Sequence, residues 1–129
     1  MKQPTRSATD RSLGADLAHA IAAADTATLM ALFSTPVTFR GVTPRRFWDA
    51  ETPAGVADIV LGTWFSPDKT VTDILSIDTD TVGDVDKVSY RMRGRGEAGL
   101  FLIEQVAYYS GQDGRITDIR LVCSGFRAA

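Results

Sequence analysis

The stretch 99-GLFLIEQVAYYSGQDGRITDIRLVCSGF-126 decides how this chain is read. Its first eleven residues are apolar, aromatic or Gly, except for Glu104 and Gln105. The polar link 110-SGQDGR-115 follows, and 116-ITDIRLVCSGF-126 then alternates apolar with polar residues. Two β-rich runs joined by a short link containing Asp-Gly predict an antiparallel hairpin. Upstream, Val88, Tyr90 and Met92 alternate with Ser89, Arg91 and Arg93. Before the turn 82-VGDVDK-87, Val71, Leu75 and Ile77 alternate with polar residues. The second half of the chain therefore predicts a meander of four antiparallel strands.

The first half reads differently. Ser12 is placed to cap a helix running to about Ala24, with Leu13, Leu17, Ala20, Ile21 and Ala24 at helical spacing. Asp25 is placed to cap a second helix that carries Leu29, Leu32 and Phe33 and stops at Pro36. The alternating run 37-VTFRGV-42 predicts a strand, and 43-TPRRFWDAETP-53, with two prolines, predicts a long loop. Thr52 caps and Pro53 starts a third helix, with Val56, Ile59, Val60 and Trp64 or Phe65 on its apolar side. Ser66-Pro67 ends it. The order is helix, helix, strand, helix, then four strands, which predicts an α+β domain with its helices on one face of the sheet. Residues 1–11, rich in Ser, Thr and charge, read as a flexible arm, and residues 12–127 as one domain.

The totals narrow the function classes. The chain has 129 residues, a length that suits one domain. It carries 14 basic and 16 acidic residues, for a formal net charge of −2. Residues 1–64 hold 6 of each sign, and residues 65–129 hold 8 basic against 10 acidic. Neither half makes a basic patch, so no nucleic-acid or membrane partner is expected. The single Cys123 has no intramolecular disulfide partner and no companion for a zinc site. The polar start MKQPTRSATDRSLG lacks the apolar core of a signal peptide. The run 20–33 is too short to span a bilayer and contains Asp25. A cytoplasmic protein without cofactor or metal is the expectation.

The segments 25-DTATLMALFSTPVTFRG-41, 53-PAGVADIVLGTWF-65 and 103-IEQVAYYSGQDGRITDIRLVCSGFR-127 resemble the nuclear transport factor 2-like (NTF2-like) superfamily. Its members include ketosteroid isomerase, limonene epoxide hydrolase, scytalone dehydratase and the SnoaL-like polyketide cyclases. The resemblance covers about Ser12 to Arg127. It implies a cone, in which three N-terminal helices pack on the concave face of a curved, mostly antiparallel sheet and enclose a pocket. The outer sheet face often carries a dimer interface in that superfamily.

Period-2 alternation then assigns faces. With Val88, Tyr90 and Met92 inward, Arg91 and Arg93 point out. On the next strand Leu100, Leu102, Glu104, Val106 and Tyr108 are placed inward. Phe101, Ile103, Gln105, Ala107 and Tyr109 then take the outer face, an apolar set that predicts a homodimer. On the last strand Ile119, Leu121 and Cys123 face in. Glu104 thus falls where the resemblance to ketosteroid isomerase implies a pocket carboxylic acid. A carboxyl ringed by Leu102, Val106 and Tyr90 loses solvation, which raises its pKa and suits proton donation or transfer. The alternative is a structural anchor paired with Arg or backbone. Glu104 is the catalytic candidate. Tyr90, Tyr108, Met92, Trp64, Trp48, Leu102, Val106, Cys123 and Leu17 are the ligand-contact candidates, with Trp48 on a loop placed as a lid. Aligned without gaps, the isomerase's general base falls on Gly41 and its oxyanion tyrosine on Leu17, so steroid isomerisation is not implied.

Other signals have plainer readings. His19 lies off the apolar helix face and reads as solvated. Cys123 reads as a small buried hydrophobe. The loop 94-GRGEAG-99 spells G-x-G-x-x-G but lies between two antiparallel strands, outside any βαβ unit. The stretch 78-DTDTVGD-84 echoes a calcium loop but has Val82 and Ser89 at ligand positions, so it reads as a hairpin. The expected function is that of a small-molecule pocket protein, with acid/base chemistry (isomerase, cyclase or dehydratase) on a hydrophobic carbonyl compound. The alternatives are a non-catalytic ligand-binding module and a dimerisation domain using the outer sheet face.

Overall fold

The computed structural model describes residues 4–129, with side chains from Leu13 onward. The elements run α1 (Pro4–Ala22), α2 (Thr26–Ala31), β1 (Phe33–Thr43), β2 (Arg46–Ala50), α3 (Pro53–Ala57) with a π-helical continuation (Asp58–Trp64), β3 (Thr70–Val82), β4 (Val85–Gly96), β5 (Gly99–Gln112), β6 (Arg115–Cys123) and β7 (Arg127–Ala128). The sheet order is β2-β1-β6-β5-β4-β3, and β7 adds to β5. Every pairing is antiparallel except β1 with β6, so the curved sheet is mixed.

Turn chemistry sets the meander. Gly83 takes φ +63 between β3 and β4. Asp113 and Gly114 take φ +56 and +77 between β5 and β6, the pair of left-handed residues a two-residue hairpin favours. The 78–84 stretch is therefore the end of β3 and its turn, and 94–99 is the end of β4, the two-residue turn Glu97–Ala98 and the first residue of β5.

The helix caps form at Asp25 and Thr52. The Asp25 carboxylate accepts from Thr28 N–H at 3.1 Å, and Thr52 Oγ1 accepts from Gly55 N–H at 3.0 Å, with Pro53 in the first turn. Helix α1 starts at Pro4, so Ser12 lies inside it rather than at its cap. Residues 1–3 of the expected arm lie outside the described residues. The helix ends at Ala22, and Ala24 adopts φ +53 in the link to Asp25. Leu13, Leu17, Ala18, Ala20 and Ile21 are buried, and α1 lies across β3 and β4. Gly14 permits that approach: a Cβ there would sit 2.9 Å from Val88 Cβ.

The loop expected at 43–53 is instead mostly strand. Pro44 and Arg45 make a two-residue turn in which Arg45 takes φ +75, the second-position geometry of a proline-led turn. It returns the chain as β2 along β1. Trp48 therefore sits on an edge strand, not on a lid. Strand β1 also starts earlier than the sequence predicts, at Phe33, with a cis Thr35–Pro36 bond and a register shift between Phe33 and Thr38. After α3 the backbone widens: Phe65 N–H donates to Val60 O at 2.8 Å, five residues back. This turn buries Val60, Trp64 and Phe65 together.

One face assignment is reversed. Gly96 pairs with Gly99, so Arg91 lies opposite Glu104 and Tyr90 opposite Gln105. Directly opposed residues share a sheet face. Because Arg91 faces out, Glu104 does too, together with Leu100, Leu102, Val106 and Tyr108. Phe101, Ile103, Gln105, Ala107 and Tyr109 are the buried set. The assignments on β4 and β6 hold: Val88, Tyr90, Met92, Ile119, Leu121 and Cys123 are buried.

Candidate functional site

Across β4, β5 and β6 the pairings place Tyr90, Gln105 and Cys123 side by side on the concave face. Tyr90 is 2% exposed and Gln105 1%. The Tyr90 hydroxyl donates to Gln105 Oε1 at 2.6 Å. That bond fixes the amide and turns its Nε2 away from the phenol. Among the described residues, Gln105 Nε2 has no hydrogen-bond partner. Burial, and then the neighbouring Cys123, push the Tyr90 phenol far above its usual range. Tyr90 is accordingly a fixed hydrogen-bond donor across ordinary pH and not a proton-exchanging group. Cys123 Sγ accepts from Gly125 N–H at 3.4 Å.

The next row on the same face runs through Ala107, Leu121 and Gly41. Trp64 lies on Gly41, where a Cβ would sit 2.8 Å from its Cη2. Phe39 and Trp48 brace the indole, with ring centroids at 6.2 and 6.0 Å. Trp48 Nε1 donates to Thr43 Oγ1 at 2.8 Å, and the Arg46 guanidinium sits 3.8 Å over its ring. Trp64 Nε1 has no partner among the described residues. Among the described residues, two buried side-chain donors are thus without a protein acceptor, a rare condition in a folded protein.

Of the residues expected at the site, Tyr90, Met92, Trp64, Cys123 and Leu17 are buried in the core between helices and sheet. Trp48 packs on its edge. Glu104, Leu102, Val106 and Tyr108 are not brought to it. The Glu104 side chain is 44% exposed and held by two arginines: Arg91 Nε lies 3.0 Å from Oε2, and Arg127 Nη2 lies 3.2 Å from Oε1. The inward polar residue that the sequence reading missed is Gln105. The signal was the short turn: pairing Gly96 with Gly99 and counting back places Tyr90 against residue 105. A buried acid was missed as well. Asp86, the second residue of β4, lies opposite Tyr109, and its Oδ1 accepts from the Thr81 hydroxyl at 3.4 Å. His19 is exposed. Among the described residues, no three His, Cys, Asp or Glu side chains gather as a metal site. No described helix is long and apolar enough to cross a membrane.

The outer face carries its own pattern. Phe47 lies opposite Val42, Val42 opposite Val122, and Val122 opposite Val106, an apolar row across four strands. Phe47 is 84% exposed. Asp49, Arg40, Arg120 and Tyr108 form the adjacent row. A groove of about 350 Å³ runs over Arg40, Val42, Phe47, Arg120 and Val122.

No protein-family model matches the sequence, and no curated protein matches it. Solved structures do match. A candidate isomerase from Bacillus subtilis superposes with a TM-score of 0.70 at 13% identity, covering 92% of this chain and 86% of that one. An NTF2-like protein from Burkholderia xenovorans gives 0.66 at 14% identity, covering 90% and 89%. An epoxide hydrolase from M. tuberculosis resembling limonene epoxide hydrolase gives 0.66 at 13% identity, covering 91% and 84%. At these identities the likeness is one of fold.

Proposed function

We propose, from the NTF2-like fold that this chain adopts, that it binds a small hydrophobic carbonyl compound in a pocket between its helices and the concave face of its sheet. The reading rests on one observation, the pair of buried donors Trp64 Nε1 and Gln105 Nε2. Each buried donor without an acceptor costs about 1–3 kcal/mol, which a ligand oxygen recovers. Both groups donate, so the preferred ligand presents acceptors. The core that surrounds the two donors is apolar, Leu17, Met92 and Phe39 included, so the proposed ligand is uncharged over most of its surface. Tyr90 orients the Gln105 amide.

Binding is favoured over acid/base catalysis. The expected acid, Glu104, stands on the outer face, and the Tyr90 phenol stays protonated. A thermal-shift screen of neutral aromatic ketones, quinones and lactones tests the reading. Hits that stabilise the wild type and lose their effect in Gln105→Leu support it. A ligand that binds Gln105→Leu and Trp64→Phe as tightly as the wild type would overturn it.

The second element of the proposal is a homodimer through the outer face. The apolar row from Phe47 to Val106 is the surface it would cover. This replaces the set based on Phe101, which is buried within the chain.

A further inference from the structure

The residues after β6 form a strap. Ser124 N–H donates to Glu104 O at 2.9 Å, and Glu104 N–H donates back to Ser124 Oγ at 3.0 Å. Gly125 then takes φ +80, a left-handed conformation that leaves a Cβ 3.0 Å from Pro44 Cγ, so glycine is required there. This bend turns Phe126 onto the end of the core. Its ring meets Phe65 at 5.2 Å and Phe101 at 5.0 Å, both edge-on, and Lys69 Nζ lies 5.0 Å from its centroid. Phe65 closes the π-helical segment, and Phe101 lies on the concave face two residues before Ile103. Strand β7 then pairs with β5 for two residues only. Arg127 fastens it to Glu104.

We propose that Ser124–Ala129 is a gate over the interior, with Gly125 as its hinge, Phe126 as its plug and the Arg127–Glu104 pair as its latch. The inference rests on the interior binding site proposed above. It also gives Glu104 a role: the carboxylate secures the segment that covers the site. Beyond the Ser124–Glu104 bonds at its root, the strap is held by one half-buried ring, a two-residue strand, the Ala129 N–H bond to Leu100 O at 3.1 Å and an ion pair exposed on both sides. Such segments open locally far more often than the domain unfolds. Opening removes Phe126 from Phe65 and Phe101, and so exposes the end of the concave face that leads through Met92 and Ile103 to Tyr90 and Gln105. It also breaks the Gly125 N–H bond to Cys123 Sγ at 3.4 Å, and so frees the thiol of the single cysteine, which is 5% exposed and immediately precedes the strap.

Cys123 therefore reports the gate directly. The experiment measures its reaction rate with a neutral aromatic disulfide, alongside the association rate of the neutral fluorescent ketone 6-propionyl-2-(dimethylamino)naphthalene, whose carbonyl supplies the acceptor that Trp64 Nε1 and Gln105 Nε2 call for. Arg127→Ala is expected to raise both rates about two- to fivefold, the scale of an exposed ion pair. Phe126→Ala is expected to raise them about tenfold or more, because it removes an aromatic plug. Val56→Ala, in the core of α3 and away from the strap, lowers global stability and serves as the comparison. Thiol rates that rise no more in the strap variants than in Val56→Ala overturn the gate, whatever the probe does. Thiol rates that rise as expected while the probe binds no variant would show a strap opening onto no site. That outcome overturns both the interior pocket and the gating role. If Phe126→Ala does not fold, Arg127→Ala with a salt titration decides: the thiol rate must rise with salt in the wild type and not in the variant.

Discussion

The buried Tyr90–Gln105 pair makes an unusual stability prediction. Tyr90→Phe removes the hydroxyl and leaves Gln105 with neither amide end satisfied. The bond is 2.6 Å long, and both side chains are almost fully enclosed, so the loss is about 1–3 kcal/mol. Gln105→Met has two opposing effects. It leaves the Tyr90 hydroxyl unpaired, at about 1–3 kcal/mol, and it removes an amide whose Nε2 already has no partner, a gain of similar size. Its net effect is near zero. The double variant exchanges the whole polar group for apolar atoms of similar shape, and so is expected to be about 1 kcal/mol more stable than the wild type. The coupling in the double-mutant cycle is then roughly 2–4 kcal/mol in favour of the pair of changes. Urea unfolding followed by tryptophan fluorescence reads all four proteins. At about 1.5 kcal/mol/M, a 2 kcal/mol loss moves the midpoint by about 1.3 M, well beyond scatter. The reasoning is falsified if Gln105→Met costs as much as Tyr90→Phe, because Nε2 would then have a partner in the unliganded protein.

Four further outcomes follow from the geometry. Glu104→Gln removes two exposed ion pairs and should cost about 1 kcal/mol or less in urea unfolding, whereas an interior acid would cost several times that. Gly41→Ala forces Trp64 off β1 and should lower stability by about 1–3 kcal/mol, with a shift in tryptophan emission; unchanged emission would contradict the contact. The Thr28 hydroxyl and backbone N–H hold the Asp25 carboxyl below its ordinary value of 3.8, so the cap stabilises the fold above that pH and is lost as pH falls through the lowered folded-state value. The difference in melting temperature between wild type and Asp25→Ala should accordingly close on acidification below 3.8, and a constant difference would refute the cap. Val122→Arg places a charge in the middle of the outer apolar row; if the proposed outer-face dimer forms, it should shift sedimentation towards monomer, and an unchanged sedimentation coefficient would refute that interface.

Several features were legible because their causes are local. Asp25 and Thr52 announce their helices by side-chain chemistry alone. The glycine and aspartate turns announce the meander, and the spacing of Leu13, Leu17 and Ile21 announces the buried face of α1. Trp64 was legible as an interior residue from its place on the third helix. Other features depend on a count that the residues state only indirectly. The run from Leu100 to Tyr109 is apolar on both alternating sets, so hydrophobicity does not choose between them. A shift of one residue exchanges the faces. The closing turn makes the choice, because a two-residue link from Gly96 to Gly99 leaves no freedom in what lies opposite Arg91. Strand β2 was illegible for a related reason. Its five residues carry little pattern, and its existence depends on the turn at Pro44–Arg45 returning it to β1.

The sequence by itself determined an α+β domain with capped helices, an antiparallel meander and the inward residues of β4 and β6, because capping, turn geometry and alternation act over a few neighbouring residues. The same local turn from Gly96 to Gly99 sends Gln105 into the core and Glu104 out of it. Tertiary structure alone decided that Trp64 rests on Gly41 and that the last residues fold back over Phe101. Both contacts join segments far apart in the chain, so no neighbouring residues state them.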